Sequence, residues 1–585
     1  MPTVTKQWHL RPHDADGIQR LATAAKLSPV VSQLLLNRGV SEPELAKRYL
    51  DANLGGLHPP QSLPGVPEAA ERIWKAIRDK EKICIFGDYD ADGVTGTAIL
   101  VSLIERLGGS AEFYIPHRME EGYGLNSEAL RLRQGDGVTL VVTVDCGITA
   151  IPEAEEAKRL GLDLIITDHH EMKDLLPDAF AIVHPAKPGS TYPFAGLSGS
   201  GVALKLAWAI AQLASSNERV TPDLREFLLD AVGLAALGLV ADVVPLRDEN
   251  RILVRHGLPR IMSSPSIGLK ALIETCSLSS STLRSEDVSF RIAPRLNAAG
   301  RLDCALLVVE LLTTRSPTRA RELAGILENY NQQRQQIERR ITNQAKELVE
   351  ANGWHDAPAI VLGSAEWHVG VVGIVAGRLV EQYGRPVVLV AVREGDALST
   401  GSGRSIPGIE LHHALKHCDG ILERYGGHAM AAGVRVIPSR IPAFRDKLCE
   451  YAAGVYNGVA PIPKLMIDAE VPIALITFNL MKEIDKLEPY GAENPRPKLL
   501  ATGLTVEGVP RKVGQGERHL NLKVRQGNTS MKAVAFGMGD RFDELAVPGV
   551  KFSAVFTPRI NEWQGYKSVQ MEILDFRIGE SVELV

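Results

Sequence analysis

Cysteine is scarce in this chain: its six residues, at 84, 146, 276, 304, 418 and 449, include no C-x-x-C pair. Neither a zinc ribbon nor a disulfide framework is expected from them. No window approaches about 18 continuous apolar residues, so no membrane-spanning helix is expected. Neither sign of charge dominates, because 65 basic residues face 70 acidic ones and the net charge is −5. Any nucleic-acid binding must therefore use local basic patches. Low-complexity tracts and fixed-period repeats are also absent, and Met1 to Arg20 holds no basic segment followed by an apolar one. No signal peptide is expected, and a cytoplasmic location is the default. With 585 residues, 45% hydrophobic and 23% charged, the chain should fold into several globular domains.

The chain does contain aspartates at the ends of apolar runs. Ile83 to Phe86 reads as a buried strand, and Asp88-Tyr89-Asp90-Ala91-Asp92-Gly93 follows it almost at once. Two carboxylates about 4 Å apart repel by roughly 4 kcal/mol at an effective dielectric of about 20. Such a cluster calls for bound cations or shared protons, and divalent metal satisfies it most simply. The run Val138 to Val144 stops at Asp145-Cys146-Gly147, Leu164 to Thr167 stops at Asp168-His169-His170, and the helix-like Phe227 to Val240 delivers Asp242. The carboxyl ends of strands in an open parallel sheet share one edge, so these segments are expected to converge on one site. An EF-hand loop begins in the same way as Asp88 to Gly93, but its twelfth position here is Ile99 rather than glutamate. Imidazole among carboxylates favours Mn²⁺, with Mg²⁺ suited where carboxylates dominate.

The expected fold class is α/β and multidomain. After a helical start from Asp16 to Leu50, strands at Ile83 to Phe86, Ala111 to Ile115, Val138 to Val144, Leu164 to Thr167 and Ala181 to His184 alternate with helices, the pattern of a doubly wound parallel sheet. Ser316 to Gly353 reads as one long helix joining two lobes, its polar middle Asn331 to Gln336 expected to be a wet surface. A second α/β unit starts at Ala357, and a linker is expected across Gly454 to Gly458 and Pro461 to Pro463. Beyond it, five strand-like runs suggest a small antiparallel OB-type barrel. The division expected is 1–315 for the helical segment and first domain, 316–355 for the connecting helix, 356–456 for the second domain and 465–585 for the barrel. Gly199-x-Gly201 reads only as the opening of a helix.

Asp88 to Gly93, Val144 to Gly147, Asp168-His169-His170 and Asp242 together resemble the motifs of the DHH phosphoesterase superfamily. Trp367 to Ile374, Gly401-Ser402-Gly403-Arg404-Ser405 and Gly426 to Gly433 resemble the associated DHHA1 domain. With Arg295 to Arg301 and the barrel, the whole length is similar to the single-strand-specific 5′ to 3′ DNA exonucleases of that superfamily. The resemblance implies two metals, Mn²⁺ or Mg²⁺, held by Asp90, Asp92, Asp145, His169 and Asp242, with Asp145 bridging and Asp88 a further candidate. His170, with Asp168, is the candidate catalytic group for orienting the scissile phosphate or assisting proton transfer. Ser402, Gly403 and Arg404, in what reads as a glycine-rich loop, are expected to recognise a terminal 5′ phosphate, with Asn297, Arg301 and His428 lining the cleft. Single-stranded DNA with a 5′ end is the implied substrate, single-strand-binding protein and a helicase the implied partners, and a monomer the expected state. The barrel carries Arg511, Lys512, Arg518, Lys523, Arg525, Lys532, Arg559, Trp563, Tyr566 and Lys567, cations and aromatics suited as a set to a single strand. Rival readings are a hydrolase of short RNA or small nucleotide phosphates on the same fold, and a non-catalytic DNA-binding scaffold.

Overall fold

The computed structural model describes residues 6–585 except 119, 218, 265, 279–281, 394, 396, 458–461, 564, 580 and 585, and the side chain of Trp563. The part of the expected linker at 458–461 lies outside the described residues. The first lobe is built on a five-stranded, wholly parallel sheet in the order Ser110–Tyr114, Lys82–Gly87, Val138–Val144, Asp163–Thr167, Ala181–Val183. Side chains alternate across it with the period of two that a strand imposes. Ile83, Ile85, Leu140, Val142 and Ile165 enter the larger core with helices Val66–Asp79, Ala91–Arg106 and Gly199–Ala214. Cys84, Phe86, Val141, Leu164 and Ile166 enter a second core on the opposite face, beneath Ser127–Gly135 and Ile151–Arg159. Both faces are thus dry, which is why the strands read as near-continuous apolar runs.

Helix Pro317–Ala351, 35 residues and about 50 Å long, leaves this lobe with Ser316 capping its first turn. Ala320, Leu323, Ala324 and Leu327 belong to the first lobe's core, and Ile341, Ala345 and Val349 to that of the second. Its polar middle is a wet surface on one side, where Gln332, Gln333 and Gln336 are exposed, and is enclosed on the other. Asn331, Arg334 and Glu338 are buried, Arg334 donates to Asn331 and Glu338 at 2.5 Å each, and Arg378 from the second lobe also pairs with Glu338. Internal ion pairing makes this burial tolerable.

The second lobe has a five-stranded sheet in the order Leu422–Gly427, Ala431–Val436, Ser399–Arg404, Val387–Ala391, Ile360–Ser364, with only the last two parallel. Gly401-Ser402-Gly403-Arg404, which reads as a loop, is part of a strand. A Cβ on Gly401 would meet the Leu389 carbonyl at 3.0 Å and Val434 at 2.8 Å, so glycine here serves close packing between strands.

Strands Leu499–Val506, His519–Gln526, Thr529–Ala535, Lys551–Trp563 and Tyr566–Ile578 form the barrel, closed by pairing of the first with the second. One pairing, between Thr529–Ala535 and Tyr566–Ile578, is parallel rather than antiparallel. The short helix Phe542–Leu545 intervenes before the last hairpin, which returns beside the third strand in the same direction. Before the first lobe, Gln7–Leu10 forms a strand missing from the sequence reading and pairs with Lys464–Ile467. The helices that follow place Leu21, Val31, Leu34 and Leu35 in the barrel's core. Residues 7–51 therefore pack with the last domain.

Candidate active site

The carboxyl edge of the parallel sheet gathers the acidic segments. Asp90 caps helix Ala91–Arg106, its Oδ1 accepting from the backbone of Asp92 at 2.9 Å and Gly93 at 3.2 Å. A Cβ on Gly93 would lie 2.6 Å from the Asp88 carbonyl oxygen, so only glycine allows the turn to close. Asp92 is buried and accepts from the N–H groups of Gly199 at 2.6 Å and Ser200 at 3.1 Å, and from the hydroxyls of Ser198 at 2.8 Å and Ser200 at 2.5 Å. The Gly199-x-Gly201 turn thus does more than open a helix, because that helix's N-terminus cradles Asp92.

Asp145 follows its strand at φ 65°, the left-handed region, with its N–H bonded to Thr167 O at 3.0 Å. His169 Nε2 lies 3.0 Å from Asp145 Oδ1, 3.5 Å from Asp242 Oδ2 and 3.9 Å from Asp92 Oδ2. Among the described residues, neither His169 Nε2 nor Asp145 Oδ1 has a hydrogen-bond partner, and Asp88 Oδ1 is likewise buried without one. Such orphaned atoms fit metal ligands, since neighbours in an octahedral shell with bonds of about 2.1 Å stand roughly 3 Å apart. Two groupings emerge, Asp92-His169-Asp242 and Asp88-Asp90-Asp145, each with ligand atoms within 4.8 Å, and Asp145 also groups with the two histidines.

The electrostatics make the same demand. Burial, then the charge of Asp92, pushes Asp90 and Asp145 up, and burial with Asp90 does so for Asp88. Asp242 is pushed up to about 8 by burial and then by Asp92 and Asp90. These carboxylates cannot all ionise together unless a cation joins them. Burial lowers His169, leaving its imidazole neutral and fit to ligate. In His170 burial opposes charge, but the 2.8 Å hydrogen bond to Asp168 and that carboxylate's charge outweigh it and push the ring up to about 9.

Asp168 stands behind His170 rather than in the cleft. It accepts from the His170 ring and from the N–H groups of His169 at 2.7 Å, His170 at 3.1 Å and Ile148 at 2.9 Å. With its lone pairs taken inside the protein, it is a positioning residue. The sequence reading missed Tyr123, whose hydroxyl donates to the Asp145 carbonyl at 3.2 Å and lies 3.4 Å from His170 Nδ1. It also missed Arg118, whose guanidinium lies 4.9 Å from the Tyr89 ring centroid. Both follow the strand Ser110–Tyr114 at the same sheet edge, the signal that could have found them.

Facing this edge is a group of arginines. Arg404 donates to Ser402 Oγ at 3.1 Å and to the Gly403 carbonyl at 2.8 Å. Burial lowers Arg301 to about 10, helped by the charges of Arg118, Arg334 and Arg404, and burial with Arg118 lowers Arg404. Like charges held together in this way favour an anion between them. The N-terminus of helix Val369–Tyr383 adjoins them, since a Cβ on Gly370 would lie 2.3 Å from the Arg301 carbonyl and one on Gly373 2.8 Å from Ser402 Oγ. Asn297 does not point its carbonyl into the cleft; its Oδ1 accepts from Ala91 N–H at 2.7 Å and anchors the metal loop. His428 meets Glu171 across the lobes at 3.1 Å.

Family models match the chain over residues 82–235 (DHH family, N-terminal domain), 356–454 (DHHA1 domain) and 467–575 (RecJ OB domain). The chain is 40% identical over 574 residues to the single-stranded-DNA-specific exonuclease RecJ of Bacillus subtilis, covering 98% of this chain and 71% of that protein. The chain belongs to the RecJ family. Its fold is similar to that of RecJ from Thermus thermophilus solved with Mn²⁺, at TM-score 0.83 and 33% identity over 99% of this chain and 80% of that one. It is also similar to the Mg²⁺ complex, at TM-score 0.77 and 31% identity over 99% and 79%. The metals found in those RecJ structures are the two that the carboxylate and imidazole donors here suit.

Proposed function

We propose that the chain is a metal-dependent exonuclease that hydrolyses phosphodiester bonds from the 5′ end of single-stranded DNA and releases mononucleotides. Exonuclease action on single strands is what the relatives' names state, and polarity follows from the family resemblance. The observation that carries the chemistry is the pair of acidic groupings with Asp145 at their junction, set against the arginine group of the second lobe. Asp92, His169 and Asp242 would hold one ion, Asp88 and Asp90 the other, and Asp145 both. When bound, such ions polarise the phosphoryl group and supply a water of lowered pKa. His170, held by Asp168, keeps a proton for a phosphoryl or leaving oxygen. Ser402, Arg404, Arg301 and Arg118 take the terminal phosphate, through charge-assisted hydrogen bonds that position the next bond over the acidic edge.

Cations of the barrel differ in availability. Lys523 and Arg525 pair with Glu507, Lys567 with Glu562 and Arg559 with Glu572, whereas Arg511, Arg518 and Lys532 make no ion pair among the described residues. These last three are the ones offered to the trailing strand. Among the described residues no helix is long and apolar enough to cross a membrane. A cytoplasmic monomer acting beside single-strand-binding protein and a helicase is the setting proposed. Product analysis with end-labelled DNA, RNA and dinucleotides tests the reading: mononucleotides released from the 5′ end of DNA support it, and a preference for dinucleotides or RNA overturns it.

A further inference from the structure

Phe290 is 77% exposed, the barest phenylalanine among the described residues. It lies in a π-helical turn, Val288–Ile292, set between the short helix Ser285–Asp287 and helix Ala293–Leu302. Pro294 has no N–H for the Phe290 carbonyl four residues back, and its ring would crowd a regular turn, so the chain widens here. The two faces of this segment behave differently. Ile292, Leu296 and Ala299 enter the first lobe's core, whereas Phe290, Asn297 and Arg301 recur at intervals of seven and four, the spacing of a single helix face.

That face runs between the two parts of the proposed nuclease. At one end Asn297 holds the Ala91 N–H beside the acidic edge, and Arg301 belongs to the arginine group. At the other, Ser285 donates to the Tyr490 carbonyl at 2.5 Å and Glu286 pairs with Arg496 at 2.5 Å, both on the approach to the barrel. Phe290 precedes Arg301 by eleven residues. On a regular helix this is about 16 Å, no more than about five nucleotides at a stacked spacing of about 3.4 Å. Arg284 and Arg291, near Phe290 in sequence, are paired with Glu488 at 3.8 Å and Asp287 at 3.6 Å, so it is the ring and not a free charge that this turn presents.

We propose that Phe290 is a base-stacking subsite, taking the face of one base in the single strand between its bound 5′ end and the barrel. The subsite reads no sequence, because every base presents a π face. It rests on the nuclease reading above, in which the strand passes from the acidic edge to the barrel. It also accounts for a large apolar ring that is left exposed among the described residues.

The test uses the full chain carrying Asp145→Asn to prevent turnover, with and without Phe290→Ala or Phe290→Trp. Each protein is titrated with 5′-phosphorylated DNA bearing 2-aminopurine at successive positions from the 5′ end. With Phe290 present, fluorescence should change most at one position within about five nucleotides of that end. Phe290→Ala should abolish that change and weaken binding of a 12-mer by about 5- to 150-fold, the equivalent of about 1 to 3 kcal/mol of stacking. Binding of a dinucleotide by the same variant should move less than twofold, and Phe290→Trp should restore the 12-mer. An unchanged ratio of 12-mer to dinucleotide affinity in Phe290→Ala, with an unchanged fluorescence pattern, would remove the subsite. A Phe290-dependent signal together with no hydrolysis of any strand by the metal-loaded unaltered chain would keep the subsite and discard the nuclease reading.

Discussion

Asp145 occupies a left-handed backbone conformation that L-residues other than asparagine and aspartate rarely adopt, and its carboxylate is buried against four neighbours of the same charge, Asp88, Asp90, Asp92 and Asp242. Strain and repulsion at one residue persist only where something else over-determines them. Shared ligation of two cations would do so. Asp145→Asn keeps a side chain suited to that φ and removes the charge, so it should fold normally yet take up less than one Mn²⁺ per chain in calorimetry. Undiminished uptake would refute the bridging role. Ser200 acts one step further out, and Ser200→Ala should lower metal affinity about 10- to 100-fold, as loss of a residue that orients a ligand commonly does. Asp88, Asp90, Asp92, Asp145 and His169 are legible in sequence because each follows a strand of one sheet, and parallel strands end at a common edge, while Asp242 stands at the end of helix Pro222–Ala241. Ser198 and Ser200 were not, since their partner Asp92 lies more than a hundred residues away and no local periodicity records that pairing.

Elements were read well where burial is uniform and less well where polar groups are enclosed. The strands of the first lobe, apolar on both faces, stand within a residue or two of their expected positions. Helix Pro317–Ala351 was found by its apolar spacing, but Asn331, Arg334 and Glu338 look solvated in one dimension and are enclosed in three. Their pairing with each other and with Arg378 has a consequence. Glu338→Ala leaves buried Arg334 without its carboxylate and should destabilise this junction by about 3 to 5 kcal/mol. Hydrogen exchange of the helix amides measures it, and protection equal to that of the unaltered chain would contradict it. Gly401-Ser402-Gly403-Arg404 reads as a loop because glycine usually signals one, whereas here the glycines let strands approach and send Ser402 and Arg404 to one face. Arg404→Ala should reduce the preference for 5′-phosphorylated over 5′-hydroxyl ends, about tenfold if one charge-assisted hydrogen bond is lost. An unchanged ratio would take Arg404 out of the phosphate pocket.

At the scale of the whole molecule, the chain returns on itself, its amino-terminal helices entering the core of its carboxyl-terminal barrel. Sequence patterns mark Asp16 to Leu50 as helical but carry no signal for which distant domain an amphipathic helix covers. Leu34 is fully buried there, and Leu34→Ala should cost about 2 to 5 kcal/mol through the cavity it leaves. The loss should appear in melting of the barrel and leave Mn²⁺ uptake unchanged; a matching fall in metal affinity would show the lobes to be one cooperative unit. The long helix, the Arg334-Glu338-Arg378 junction and the His428–Glu171 contact hold the arginine group opposite the acidic edge. That opposition is the central claim, and anomalous diffraction at the manganese edge, from crystals of the full chain with a short 5′-phosphorylated strand, tests it most directly. Two peaks should flank Asp145, with the terminal phosphate against Ser402 and Arg404. Manganese found only at the exposed Glu410-His412-His413 cluster, or a strand seated away from the arginines, would contradict it.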